Sequence, residues 1–448
     1  MSSTEDRAGR QLSRRGFLAL GAGAGAAGLL AASACGGKSA TSAGGGGGKA
    51  FTGKYDGPKL TLQYWNGFTG GDGPTMKKMV EDFNAAHPNI DVKMTTIQWA
   101  DYYQKVPAAV QTGKGPDVGI AHQDALAGLA ARKSIQPLDD IANELKLSEG
   151  DFVSAIWKGG IFNGKRYGIP LDVHSLAQYT NTTLTAKAGV GTAPSTASDF
   201  EAEIAKLKSS VPNPFWMPSL WPAHLMFMSL IWQFGGEPWA DGGHSAGFDS
   251  DAGVHALGWM VDQVKKGASP KNVAVDTQYN AFKNGRNAVT WDGIWQINDL
   301  KTTAPSLKWK LSFIPQIGDK PAVWANGHNF ILANPRTIDQ NKQTAAKVFI
   351  AYISSKSVEW AKSGMIPARN SIRDTAEFKA MTQAEVAKGA DNMHFLPPVP
   401  GLGDVQAQTL EKAVNKAVLL QQSPKDALTS AAKAANKLLE ENRKKYGG

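Results

Sequence analysis

Three residue patterns in this chain could do chemistry. Gly23 to Gly28 spells G-x-G-x-x-G, the spacing that lets a tight turn approach a pyrophosphate. Gly243-His244-Ser245-Ala246-Gly247 spells G-x-S-x-G, the turn that exposes a serine nucleophile. Thirteen tryptophans exceed what packing alone requires and raise the question of what they stack against. The two glycine patterns fail on their surroundings. A dinucleotide turn opens an amphipathic helix and is answered by an acidic residue about 20 positions on; here the sequence continues "AAGLLAASACGG" into a glycine-rich stretch, with no Asp or Glu between Asp6 and Asp56. A nucleophile elbow follows a buried strand and opens a helix; here "EPWADG" precedes the serine and "FDSDAG" follows it, both polar turn sequence.

The first stretch reads better as an address. Ser13-Arg14-Arg15-Gly16-Phe17-Leu18 matches a twin-arginine export signal, and Phe17 to Ala34 is a weakly apolar segment behind it. Ala32-Ser33-Ala34-Cys35 has the form of a lipobox, with Ala32 where Leu is preferred, so Cys35 is the expected lipid-modified first residue of the mature chain. Residues 1–35 are then the signal region and residues 36–57, rich in Gly, Ser, Ala and Lys, a flexible tether. Loss of the signal removes four arginines and two acidic residues, so the net charge falls from +9 to +7. That excess is spread out, with no run of five basic residues, which argues against nucleic acid as a partner. Cys35 is the sole cysteine, which excludes disulfides and thiolate metal sites elsewhere. The eight histidines include no H-x-x-x-H or similar pair, so neither metal nor cofactor is expected.

The elements that must position any site begin at Lys59. "LTLQYW" alternates as a strand. "PTMKKMVEDFNAAHP" places Met76, Met79, Val80 and Phe83 on one helical face, with Pro74 in the first turn and His87-Pro88 as the stop. "IDVKMTTI", "DYYQKVPAAVQTG" and "PDVGIA" continue as strand, helix and strand. This β-α-β-α-β order implies a parallel sheet covered by helices. Further on come a short hairpin ("FNGKRYGIP"), an amphipathic helix ("DFEAEIAKLKSS"), a proline-rich entry to a strongly apolar helix ("VPNPFWMPSLWPAHLMFMSLIWQFGG") and a mainly helical C-terminal part. There, Ser423-Pro424-Lys425-Asp426 has the form of a capping box.

Taken in order, "FNAAHPNIDVKMTTIQWADYYQKVPAAVQTGKGPDVGIAH", "QPLDD", "FNGKRYGIPLDVHSLAQYTN", "AFKNGRNAVTWDGIW" and "GMIPARNS" resemble the extracellular solute-binding proteins that feed sugar-importing ABC transporters, the maltose-binding protein's family. The resemblance covers residues 58–440. It implies an α/β, two-lobed periplasmic-binding-protein-like fold (type II) with an interlobe ligand cleft that closes by a hinge. Changes of lobe are placed near Pro170–Ser175, Ala288–Trp291 and Ala333–Ile338. The first lobe is then 58–172 plus 291–335, and the second 173–290 plus 336–448. The implied protein is a monomeric, lipid-anchored receptor on the outer face of the cell membrane. Its partners are a sugar or oligosaccharide, the permease subunits of an ABC importer, and membrane lipid through Cys35.

A sugar offers C–H-rich faces and hydroxyl edges, so its site needs aromatic plates with carboxylates, amides, Arg or His beside them. Candidates lie at strand C-termini and in cleft-facing loops. They are Trp65 and Asn66 after the first strand; His122, Gln123 and Asp124 after "PDVGIA"; and Asp172 and His174 at the first crossing. Further along come Trp221 and His224 at the apolar helix, Trp291, Asp292 and Trp295 around a strand end, Asn326 and His328 in "WANGHNF", and Arg369 in "IPARNS". For each the competing assignment is structural: a packed Trp, a capping Asp, an interior His, a salt-bridged Arg. "FLPPVPGLGDVQ" lacks the aromatic that the maltose binder uses for stacking. The alternatives are a binder of another polar solute, or a carbohydrate-active hydrolase or lyase drawing two carboxylates from Asp172, Glu237, Asp241 and Asp292. The resemblance argues for binding without chemistry.

Overall fold

The computed structural model describes residues 52–191 and 194–446. Arg14, Arg15, Cys35 and most of the tether lie outside the described residues. The first third follows the expected order: β1 (Leu60–Asn66), α1 (Gly73–Ala86), β2 (Ile90–Thr96), α2 (Trp99–Thr112), β3 (Val118–His122) and α3 (Gln123–Ala131). In α1 the buried side chains are Met76, Met79, Val80 and Phe83, the face given by their 3- and 4-residue spacing. Each such side chain stabilises by roughly 1.5–3 kcal/mol on burial. Helix α2 stops at Gly113, whose φ of 74° is the left-handed conformation that glycine adopts without a Cβ penalty.

Strands β1, β2 and β3 are parallel. The sheet is completed by β4 (Ile169–Pro170) and by β8 (His328–Leu332), which runs antiparallel between β3 and β4. A second sheet is built around β5 (Asp172–Asn181), which pairs with β6 (Val289–Gly293), β7 (Val323–Asn326) and the short strands Trp309–Ser312 and Ile366–Pro367. All ten residues of β5 are buried, although six of them are polar. Polar side chains are kept in such a place only with partners or a task.

The chain passes from the first sheet to the second at Leu171. The second change comes later than Ala288–Trp291: β6 stays paired with β5 to Gly293, and only then do Ile294, Ile297 and Leu300 join the core that holds β1 and α1. The third comes earlier than Ala333–Ile338. Because β7 pairs with β5 and β8 with β3, it falls at Gly327. The helix at Gln340–Ser355, assigned by sequence to the second lobe, accordingly packs on the first sheet, its Phe349 ring meeting Tyr64 and Phe83. At Gly327 itself a Cβ would stand 2.7 Å from the Asp172 carbonyl oxygen and 2.6 Å from Ile156 Cδ1. Only glycine lets the two sheets approach this closely.

Candidate functional site

The site is assembled by register. Across the β3–β8 pair, His122 lies opposite His328; across the β5–β7 pair, His174 lies opposite Asn326. Directly opposed residues share a face and stand a few ångströms apart. Since Asn326 and His328 flank Gly327, two pairings in two sheets bring three imidazoles together. The ring centroids are 4.3 Å apart for His174 and His328, 4.7 Å for His122 and His328, and 5.4 Å for His122 and His174. Asn326 holds the junction by accepting from the backbone N–H groups of Gln123 (3.1 Å) and Gly327 (2.9 Å).

Asp172, the first residue of β5, is fully buried beneath the rings. Its carboxylate accepts from His174 Nδ1 (3.2 Å), from His328 Nδ1 (2.9 and 3.0 Å), from the His328 backbone N–H (3.1 Å) and from Trp360 Nε1 (2.7 Å). Burial pushes this carboxyl up, but the His328 charge and the donors of His174 and His328 outweigh it and hold it well below the usual carboxylate range. The carboxylate also fixes the tautomers, since Nδ1–H of His174 and His328 points at it and Nε2 is left as a lone-pair acceptor. Desolvation, reinforced by His328, lowers His174 to about 4 and keeps His122 well below its ordinary value, so both are neutral at pH 7. Tyr103 Oη sits 2.7 Å from His122 Nδ1 and accepts the His122 backbone N–H at 2.9 Å.

Aromatic rings frame the cluster. Trp99 is stacked on His328 at 5.5 Å and tilted against His122 at 4.3 Å. Phe68 meets His328 edge-on, and Trp295 and Trp324 each lie 5.9 Å from His174. Trp99, Tyr103, Phe68 and Trp360 escaped the sequence reading. No local pattern marks any of the four; only the fold aims them here.

Several expected contacts stand at or beside this cluster. Trp65 is half-buried at the end of β1, packed with Trp99 and Tyr102. Asn66 is buried and its Oδ1 accepts from Phe68 N–H, so it holds the turn that carries Phe68. Gln123 is buried against Gly159, and the half-buried Asp124, its carboxyl raised by desolvation, has Asn326 as a hydrogen-bonding neighbour. Trp295 joins the cluster to an outer pair: Trp221, 40% exposed, lies 6.0 Å from Trp295 and 5.4 Å from His224, whose Nε2 faces Glu411 at 3.4 Å.

Three of the expected contacts have structural partners instead. Trp291 presents no face to a ligand: it is fully buried, stacked on Trp259 at 5.5 Å, packed with Phe200 and Phe215, and donates to Gln178. Asp292 faces inward as well, accepting from Gly293 N–H and from the Gln278 and Gln296 amides; burial raises it to about 7. Arg369 fixes a loop through a 2.6 Å ion pair with Asp151. H-x-x-x-H spacing reports only ligands sharing one helix, so its absence does not bear on residues from separate elements. Here a ring nitrogen from each of His122, His174 and His328 lies within 4.8 Å of the others, and the three come from separate strands. Ser245 follows a 3-10 turn and donates to Asp241, not to a histidine. Glu237 accepts from Trp232 Nε1. A surface concavity of about 240 Å³ near Trp157 offers little, since Arg166 is spent on the Gly168 and Trp157 carbonyls and on the Trp157 ring.

Two α/β sheets exchanging strands around a polar, aromatic-walled junction define a two-lobed binding protein. The chain belongs to the bacterial extracellular solute-binding protein family, whose model matches residues 69–360. Among curated relatives, the maltooligosaccharide ABC transporter solute-binding lipoprotein of Streptococcus pneumoniae (strain R6) is 25% identical over 356 residues, covering 75% of this chain and 79% of that one. Among solved structures, the GacH receptor of Streptomyces glaucescens, described unliganded and with acarbose, superposes with a TM-score of 0.77 at 20% identity, over 86% of this chain and all of that one. UgpB of Mycobacterium tuberculosis in complex with glycerophosphocholine gives 0.74 at 17% identity, over 86% and 99%. These relatives and neighbours are binding proteins. Among the described residues no helix is long and apolar enough to cross a membrane.

Proposed function

We propose that this protein is a lipid-anchored extracellular receptor that captures a sugar or oligosaccharide at the junction of its sheets and delivers it to an ABC importer. One observation carries the reading: Asp172 orients two imidazoles so that their free Nε2 atoms are acceptors, beside tryptophan faces. Acceptors matched to hydroxyl donors, next to plates matched to C–H faces, are what a sugar requires. A site built for a hydroxyl also strongly penalises a solute that lacks it.

Each sheet with its helices forms one lobe, and the connections at Leu171 and Gly327, with the crossing after Gly293, are the hinge. The half-buried Trp65, Trp99 and Trp295 and the exposed Trp221 supply stacking surface as the lobes close. Closure expels water, strengthens the hydrogen bonds and presents one docking face to the permease. Cys35 carries the lipid, which keeps the receptor beside that permease. The glycerophosphocholine complex of one neighbour raises a phosphate-bearing solute as a second reading. The charges that act on this cluster disfavour it, since Asp72, Asp124 and Asp172 surround the rings and none of their hydrogen bonds comes from Lys or Arg.

The test is thermal unfolding of the full chain carrying Cys35→Ser against a panel of mono- and oligosaccharides, with glycerophosphodiesters alongside. A ligand at 100 times Kd stabilises by roughly 2.7 kcal/mol, a shift of a few degrees at this size. One sugar shifting the midpoint and recovered intact is the expected result. Cleaved sugar would restore the hydrolase reading, and a shift with the phosphodiester alone would replace the sugar reading. Labelling of cells with a palmitate analogue, lost in Cys35→Ala, tests the anchor.

A further inference from the structure

The three imidazoles share a property that hydroxyl recognition does not require. Each has its Nδ1 edge against a fixed partner: Asp172 for His174 and His328, Tyr103 for His122. None of the three Nε2 atoms has a hydrogen-bond partner among the described residues. A ring nitrogen of each lies within 4.8 Å of the other two. Three imidazole edges without partners in one place, with no donor between them, are poorly matched to one another and well matched to a cation.

From this geometry we infer that His122, His174 and His328 bind one divalent transition-metal ion of the zinc class. Three observations support it. First, imidazoles that ligate a metal usually give their other ring N–H to a carboxylate, carbonyl or hydroxyl, which fixes tautomer and orientation. Asp172 already stands in that place for two rings, and the Tyr103 oxygen can accept from the third. Second, the surroundings are anionic: Asp172 lies beneath the rings, and Asp72 and Asp124 are near enough to couple electrostatically to His328. Third, the spacing is within reach. Zinc–nitrogen bonds of 2.0–2.1 Å in a tetrahedron put ligand nitrogens about 3.3 Å apart, so rings whose nitrogens lie within 4.8 Å need close by at most about 1.5 Å. His122, half-buried at a strand end, is the ring with room to move.

Three protein ligands leave a fourth position, as in zinc sites that keep an exchangeable ligand. In this protein a bound ion takes up the Nε2 lone pairs that otherwise accept the solute's hydroxyls, the fourth position faces the proposed solute cleft, and its occupant is water or an oxygen of the solute. The last clause rests on the receptor reading; the metal site itself does not.

The test uses the full chain carrying Cys35→Ser, which removes the lone thiol, stripped with chelator and titrated with Co²⁺ in the absence of sugar. The expected result is one Co²⁺ per chain with the visible absorption of a tetrahedral nitrogen-rich site, displaced by Zn²⁺. His122→Gln and His328→Gln should each abolish that spectrum while circular dichroism shows the chain folded. His122→Gln matters most, because its ring is the least buried and the least needed for folding. Asp172→Asn should weaken Co²⁺ binding by about 10- to 100-fold without changing stoichiometry. Absence of the spectrum in the parent chain, or its survival in His122→Gln, would overturn the proposal. Sugar binding measured with and without chelator separates the two readings: binding that persists without metal keeps the receptor and confines the ion to a separate role, while Co²⁺ binding without any sugar response keeps the metal site alone.

Discussion

Asp172 and Asp292 are both aspartates on strands of the second sheet, both fully buried, and both expected from sequence to meet a ligand. Their chemistry is opposite. Asp172 collects two imidazole N–H groups, an indole N–H and a backbone amide, and is held ionised. Asp292 collects one backbone amide and two side-chain amides, the longer at 3.4 Å, and is raised to about 7. Burial alone therefore does not set a carboxyl's state. What decides is whether the donors around it are numerous and charged enough to replace water. A carboxylate that orients two rings suits the proposed binding surface, whereas one that is about half protonated at neutral pH is a tolerated internal cost.

The sharpest way to break this comparison is to neutralise each carboxylate in turn. Asp172→Asn should cost about 3–5 kcal/mol in denaturant unfolding at pH 7, because the imidazole and indole donors lose their common acceptor. It should also abolish solute binding. Asp292→Asn should do the reverse. A carboxyl raised in the folded state contributes stability that is fully present below about pH 4 and lost as pH rises through about 7. From about pH 4 to above its folded value the Asn variant should therefore gain on the parent, by up to roughly 4 kcal/mol. Asp172 has the opposite slope: its depressed value gives stability present above about pH 4 and drained as pH falls further. Parallel pH profiles for the two variants would sink the distinction.

A smaller effect separates the tryptophans in the same manner. Trp99→Ala should weaken sugar binding about tenfold, roughly 1.4 kcal/mol, in a calorimetric titration, with a modest loss of midpoint. Trp291→Ala should instead appear almost wholly as lost stability, about 3–5 kcal/mol for a buried indole. Smallest of all is Arg369→Gln. Its ion pair with Asp151 is partly exposed, so about 1 kcal/mol or less is expected, and ligand affinity should not move.

The elements were largely legible because their signals are local. The 3- and 4-residue spacing of Met76, Met79, Val80 and Phe83 needs no knowledge of the rest of the chain, nor does the Ser423–Asp426 cap, where Ser423 Oγ accepts from Asp426 N–H at 3.2 Å. The site was legible only in part. His122, Asp172, His174 and His328 stood out as polar residues at strand ends, but that they form one cluster depends on two strand registers separated by long stretches of chain. Trp291 was misjudged although alternation along β6 carries the answer: Val289 and Trp291 fall on the face that joins the Phe200 and Phe215 core. Trp360 sits on a short helix (Ser357–Ala361) far from β5 in sequence, and nothing near it announces its hydrogen bond to Asp172.

The single residue between β7 and β8 has a consequence for how this pocket can be re-engineered. Asn326 is registered on one sheet and His328 on the other, with Gly327 alone between them. Side chains alternate along a strand, so lengthening the connection by one residue would turn His328 to the opposite face while leaving His174 in place. If the proposed receptor reading holds, ligand preference can thus be retuned by exchanging side chains at fixed chain length, whereas an insertion or deletion here would take the cluster apart while both sheets stayed folded.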